Sequence, residues 1–306
     1  MAGEILIAGP TASGKSELAL KLAERLGGVV VNADSKQVYR ELHVLSARPS
    51  AADEARAPHM LYGFVDGREA YSAGRYASDV AGALQEARRK GLRPIIVGGT
   101  GLYFKALTEG LSPMPDIPEA IRAHWRTRAG GAAPGELHAV LAARDPEMAE
   151  RLVPSDTQRI VRALEVHEAS GRSLAEWQTG ARAPILDPQQ TVRIVVAPER
   201  AELYRRIDAR FEAMMAAGAL EEARQLGEQN LDHGLPVMRA HGVRPLLRYL
   251  AGELTREEVV AAVQTETRQY AKRQLTWARG NMMSWKWISA QEMESETAKI
   301  VSFIDS

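Results

Sequence analysis

The eight residues GPTASGKS at positions 9–16 constrain this chain more than any other stretch. They match the pattern G-x-x-x-x-G-K-[ST], in which glycines let backbone N–H groups point at phosphate oxygens and the following helix N-terminus adds partial positive charge. The flanks fit as well. The apolar run EILIA at 4–8 reads as a buried strand, and SELALKLAERLGG, with Leu18, Leu22 and Leu26 at helical spacing, reads as a helix stopped by Gly27 and Gly28. Lys15 then neutralises terminal phosphates and Ser16 reaches a magnesium ion.

The same alternation continues. VVVNADS is a second strand ending at Asp34, residues 75–90 a helix ended by Gly91, and RPIIVGG at 93–99 a third strand. This order specifies an α/β domain with a P-loop NTPase-like parallel sheet flanked by helices. From SPMPDIP near residue 112 the texture changes to Ala, Glu and Arg with no convincing strand, which reads as an inserted all-helical domain. TVRIVVAP returns a strand to the sheet, followed by long helices at 199–227 and 255–279. The expected organisation is a discontinuous core, 1–112 plus 188–306, with a helical insertion at 113–187.

Composition narrows the function classes. Formal net charge is zero over 306 residues, so a polyanion would need a local basic face. Cysteine is absent, which removes disulfides, thiolate metal sites and a cysteine nucleophile, and fits a reducing cytosol. The N-terminus lacks the basic and long apolar regions of a signal peptide, and no run suits a membrane span. A cytoplasmic, monomeric protein without membrane contact is expected.

A nucleotide hydrolase usually pairs its phosphate loop with a second strand ending in Asp, the magnesium partner. Here RPIIV ends in Gly98-Gly99-Thr100-Gly101, with no carboxylate. Two glycines and a hydroxyl suit close approach of backbone to a ligand. The acid stands instead at Asp34, just past a strand end, where open α/β sheets bind ligands. It can accept a proton from an attacking nucleophile or cap a turn. Arg206 and Arg210 share one helical face, which reads either as functional or as solvated.

Six stretches, GPTASGKS, NADSKQVYR, VGGTGLY, SDTQRIVRALEVHEASG, LYRRIDARFEAMMAAGALEEARQL and TRQYAKRQLTW, resemble the tRNA dimethylallyltransferases (tRNA isopentenyltransferases), in that family's order from residue 9 to 277. The resemblance implies transfer of a dimethylallyl group from dimethylallyl pyrophosphate to N6 of the adenosine 3′ of the tRNA anticodon. The loop, Gly9, Thr11, Ala12, Ser13, Gly14, Lys15 and Ser16, then cradles a departing pyrophosphate with Mg2+ at Ser16. It further implies Asp34 as general base, Thr100 near the reacting atoms, Arg210 as a further cation on the leaving group, and tRNA contacts by Asp34, Ser35, Lys36, Gln37 and by Gln158, Arg159, Ile160, Val161 and Arg162.

Such an enzyme needs a pocket for an unstacked base and a grip on the flanking backbone of the anticodon stem-loop. Residues 267–279 supply Arg268, Lys272, Arg273 and Arg279 with no acid among them, plus Gln269 and Gln274, interleaved with Tyr270 and Trp277. Arg268, Lys272, Arg273, Gln274 and Trp277 are therefore candidate tRNA contacts, although an aromatic pair seven apart also suits burial against the core. Three places depart from the family's usual pattern: VLSARP at 44–49, Gly242-Val243-Arg244-Pro245, where Pro245 removes a backbone donor, and Ala278 in place of a common phenylalanine. Prenylation of a free nucleotide, small-molecule phosphorylation and non-catalytic RNA binding remain alternatives on residues alone. The insertion and the basic helix favour the large substrate.

Overall fold

The computed structural model describes residues 3–180, 183–289 and 292–305. Six parallel strands form one sheet: β1 (Ile5–Ala8), β2 (Gly28–Asn32), β3 (His59–Met60), β4 (Arg93–Gly98), β5 (Val192–Val196) and β6 (Lys286–Ile288). Their spatial order is β3-β2-β4-β1-β5-β6. Strands β1, β2 and β4 are almost wholly buried, as expected of parallel strands covered on both faces. Apolar side chains on alternate sides feed two clusters, one around Leu6, Val31 and Ile96 and one around Ile5, Val30 and Ile95. The short edge strands β3 and β6 are too brief for a periodic signal, so the sequence does not reveal them.

Register brings the chemistry together. Ala8 on β1 pairs with Gly98 on β4, and Asn32 on β2 pairs with Val97. The carboxyl ends of three adjacent strands therefore deliver the phosphate loop, Asp34 and the Gly98–Gly101 turn to one rim. The loop runs into the helix Lys15–Leu26, entered through Gly14 at φ 91° and left through Gly27 at φ 59°.

The expected helix at 199–227 is two helices, Arg200–Ala216 and Ala219–Glu228. Gly218, at φ 103°, breaks them, because a helix cannot continue through that backbone region. The helix at the C-terminal side runs unbroken from Arg256 to Asn281 behind a capping box formed by Thr255 and Glu258.

The chain divides into two compact units: Met1–Thr108 with Ile185–Ser306, and Glu109–Pro184. The N–H groups of Ile185 and Leu186 both donate to the Leu107 carbonyl, tying the returning chain to the helix Gly101–Thr108. The second unit is all helical. Its core gathers Trp125, Leu141, Ile160 and Leu164, all with no exposed surface. Trp125 donates from its indole N–H to Glu168 at 3.1 Å, so its one polar atom is satisfied. Replacing Trp125 with Ala removes the largest side chain of that core and should cost about 3–5 kcal/mol of unit stability. Denaturant unfolding followed by circular dichroism checks this; a loss below about 1 kcal/mol would contradict the assignment.

Candidate active site

Asp34 follows Asn32, whose side chain fixes its approach. Asn32 Oδ1 accepts from the Asp34 N–H at 2.8 Å, and Asn32 Nδ2 donates to the Asp34 and Leu61 carbonyls at 3.0 Å each. Asp34 Oδ1 in turn accepts from the Lys36 N–H at 2.9 Å. The turn cap considered above is therefore real, and it engages one carboxylate oxygen. The turn is joined to the rim of β4 as well: Thr100 Oγ1 accepts from the Ser35 N–H at 2.9 Å.

Three cations lie in electrostatic reach of this carboxylate. Burial lowers Lys15 to about 8 and Lys36 to about 8, and lowers Arg210 from its ordinary value, while Asp34 opposes the shift in each case. Lys15 Nζ donates to the Pro10 carbonyl at 3.0 Å and Lys36 Nζ to the Pro236 carbonyl at 2.6 Å. Arg210 is thus a cleft residue, and the solvated-face reading fails for it. Arg206, one turn earlier, pairs with Glu202 at 2.6 Å. Thr11, Ala12, Asp34, Lys36, Arg210 and Tyr270 line one cleft. Its apolar wall includes Leu45, Ile207, Phe211, Met214 and Val263.

His241 and Tyr270 meet in this cleft, and of the two only Tyr270 is singled out by the sequence. His241 is lowered to about 4 by burial and by the neighbouring Lys36 and Arg273, so it stays neutral. Its ring meets Tyr270 at 4.4 Å between centroids. Burial, with Asp34 adding to it, raises the pKa of the Tyr270 hydroxyl. Only a fold that brings residue 241 beside residue 36 exposes this pair.

Several expected contacts have other partners. The glycines after β4 make room for protein rather than ligand: a Cβ at Gly99 would lie 2.0 Å from Gln274 Nε2, and one at Gly101 would lie 2.2 Å from the Trp277 ring. Trp277 is accordingly half-buried against this turn and Ala278 is buried; both border a small crevice with Phe104 and Met282. Gln274 spends both amide ends inside the protein, accepting from the Thr11 N–H at 2.9 Å and donating to the Gly99 carbonyl at 3.0 Å. The Thr11 N–H is therefore committed to Gln274. Gln37 Nε2 donates to the Ser46 and Ala47 carbonyls at 3.0 and 2.9 Å, so it holds the 44–49 loop. Arg268 is paired with Asp208 at 3.1 Å.

Ile160 is fully buried in the helical core and offers no side chain to RNA. Gln158 and Arg159 are exposed, while Val161 and Arg162 are half-buried. Arg159 and Arg162 pair with Asp156 and Glu165 at 3.3 and 3.4 Å. Pairs as open as that of Arg159 are weak and exchange readily for phosphate. Lys272, Arg273 and Arg279 are exposed on the helix Arg256–Asn281.

The departures from the family pattern are also absorbed. The N–H groups of His43, Val44 and Leu45 all donate to the Glu222 carboxylate at 2.7–2.8 Å, which fixes the 44–49 loop. Pro245 occupies the first turn of the helix Val243–Leu250, where backbone N–H groups have no intrahelical partner, so no hydrogen bond is lost. Arg244 donates to the His233 carbonyl at 3.0 Å.

Comparison with known proteins places this geometry. A family model described as IPP transferase matches residues 37–281, and one described as isopentenyl transferase matches residues 3–62. A tRNA dimethylallyltransferase of Methylocella silvestris is 55% identical over 291 residues, 95% of this chain and 96% of that protein. One from Nitrobacter hamburgensis is 53% identical over 300 residues, 98% and 95% of the two chains. The crystal structure of a tRNA isopentenylpyrophosphate transferase from Bacillus halodurans superposes with a TM-score of 0.70 at 30% identity, covering 100% of this chain and 96% of that one. A eukaryotic dimethylallyltransferase described as acting on tRNA superposes with a TM-score of 0.76 at 28% identity, covering 95% and 74%.

The lowered Lys15 pKa predicts a pH dependence. Below about 8 Lys15 is cationic, and above it the folded protein loses that charge while an unfolded chain, at 10.5, keeps it. An anion in the loop favours the protonated form, so inorganic pyrophosphate should bind with proton uptake and weaken as pH rises through that value. Calorimetry in buffers of different ionisation enthalpy reads the uptake, which should shrink in Lys15→Met. Equal uptake in both proteins would remove Lys15 from the cradle.

Proposed function

The chain belongs to the IPP transferase family, and from that premise we propose how its site works. It is a tRNA prenyltransferase, moving a dimethylallyl group from dimethylallyl pyrophosphate to N6 of the adenosine 3′-adjacent to the tRNA anticodon and releasing pyrophosphate. The observation that carries the mechanism is the cleft that Asp34 shares with Lys36 and Arg210, with Lys15 of the phosphate loop in electrostatic contact with Asp34 and Arg210.

In this reading the phosphate loop and Lys15 hold the pyrophosphate, and Arg210 faces it from the opposite wall. The C1–O bond breaks, its electron pair leaves with pyrophosphate, and the N6 lone pair forms the new C–N bond. Buried cations facing an oxyanion stabilise the charge that develops, and burial strengthens that interaction. Asp34 takes the N6 proton. Its Oδ1 is held by the Lys36 N–H, which leaves Oδ2 for the proton. Thr100, fixed through Ser35, stands beside the acceptor amine. Leu45, Phe211, Met214 and Val263 give the five-carbon group an apolar wall that excludes water.

Magnesium fits the donor set. Ser16 is exposed at the start of the helix Lys15–Leu26, and among the described residues no cluster of His, Asp or Glu offers a dedicated cage. A hard cation held by one hydroxyl, waters and substrate phosphates needs no such cage, and it would neutralise charge on the pyrophosphate. The buried Ser13 hydroxyl has no partner, which suits a loop completed by an anion.

The grip on tRNA rests on Lys272, Arg273 and Arg279 of the long helix and on Gln158, Arg159 and Arg162 of the helical unit. Cytoplasmic residence and action as a monomer complete this reading. No helix among the described residues is long and apolar enough to cross a membrane.

Incubation with dimethylallyl pyrophosphate and unmodified tRNA, followed by digestion to nucleosides, should yield a prenylated adenosine. AMP in place of tRNA should turn over far more slowly; faster turnover on AMP would overturn the choice of acceptor. Asp34→Ala should lower kcat by about 10²–10⁴-fold while tRNA affinity changes little. Lys272→Ala should weaken tRNA binding and reduce its salt slope by about one. An unchanged kcat in the first or an unchanged slope in the second refutes that residue's role.

A further inference from the structure

Gln274 sits where the two halves of the reaction must be kept in register. Its Oε1 accepts from Thr11 in the phosphate loop and its Nε2 donates to Gly99 in the turn that carries Thr100. Only one orientation of the amide satisfies an N–H on one side and a carbonyl on the other. A side chain at residue 99 would have to displace the Gln274 amide, because its Cβ would lie 2.0 Å from Gln274 Nε2. Tyr270, one turn earlier on the same helix, lines the cleft together with Thr11 and Asp34. Thr100 in turn holds the Ser35 N–H, next to Asp34. Hydrogen bonds thus tie the loop through Gln274 to the Gly99–Thr100 turn, and that turn to the Ser35 N–H beside Asp34.

We propose that Gln274 is a positioning residue that fixes the distance between the leaving-group cradle and the Thr100–Asp34 pair. The inference rests on the reaction proposed above. Substitution at carbon needs the attacking nitrogen, C1 and the departing oxygen aligned, with reacting atoms about 3–3.5 Å apart, and a 1 Å misplacement can cost about 10²-fold. The nitrogen is placed by Thr100 and Asp34 and the oxygen by the loop. Strands β1 and β4 align the bases of these two segments through Ala8 and Gly98, but both segments extend beyond the ladder. Gln274 joins them past its end. The residue touches neither reactant, so its effect belongs in the chemical step and not in the capture of tRNA.

The test compares Gln274→Met, which keeps the volume and removes both hydrogen bonds, with Gln274→Glu, which keeps the acceptor for Thr11 and loses the donor to Gly99. A third variant, Val259→Ala, is a control for general destabilisation, since Val259 is buried on the same helix away from the cleft. In Gln274→Met, kcat should fall by at least about 10-fold, with KM for tRNA and for dimethylallyl pyrophosphate within about threefold of wild type. Exchange of the Thr11 amide hydrogen should accelerate. In Gln274→Glu the deficit relative to wild type should shrink as pH falls, because a protonated carboxyl can again donate to the Gly99 carbonyl. A kcat within twofold of wild type in folded Gln274→Met overturns the proposal. So does an equal kcat loss in Val259→Ala at the same drop in Tm. If Gln274→Met does not fold, the pH trend of Gln274→Glu decides. Failure of the wild-type protein to prenylate tRNA would instead sink the reaction itself, and Thr11 amide exchange would still report on the bracket.

Discussion

Parallel pairing of β1, β4 and β2 sets everything else in this protein. Each strand contributes little beyond its ladder and its buried Val, Ile and Leu side chains, yet their shared register ends all three at one rim. From there the chain must turn, and the turns hold the phosphate loop, Asp34 and Thr100. A one-residue slip would interchange the two buried faces, so the packing that holds the sheet together also fixes where the site forms.

The cleft concentrates charge at a cost. Lys15, Lys36 and Arg210 are all desolvated, and each is lowered for that reason. Asp34 offsets part of the penalty, and carbonyls of Pro10 and Pro236 take up the two ammonium groups. A diphosphate would offset more, which is why the arrangement suits an anion that arrives, reacts and leaves. The same field keeps His241 neutral between Lys36 and Arg273. In the reading proposed above, stability and function therefore pull in different directions: burying these cations costs stability, while the same charge would favour a leaving anion.

Much of the fold was legible in the sequence because its signals are local. GPTASGKS with a strand before it and Leu18, Leu22 and Leu26 after it could hardly be anything else. Asp34 and Thr100 were legible too, since each follows an apolar run at a strand end. The edge strands β3 and β6 were not, because two or three residues carry no period. The helix break at Gly218 is not legible either, because a lone glycine in a helical pattern is usually tolerated. Partner choice was the weakest point. Gln37, Gln274, Arg268 and Trp277 look like nucleic-acid groups in a linear reading, and in the fold each is engaged by protein.

The sequence by itself determined the phosphate loop, the parallel α/β core, the helical insertion and the acid at position 34, because those depend on residue type and on spacing within a dozen or so positions. Only the tertiary structure decided which polar side chains are left to meet a substrate. That is a question of what lies within 3 Å of an amide or a guanidinium, and the partners come from far along the chain: Thr11 beside Gln274, Lys36 beside Pro236, Asp208 beside Arg268. Hydrogen-bonding capacity is written in the residue, but whether it is already spent depends on distances that sequence order does not encode.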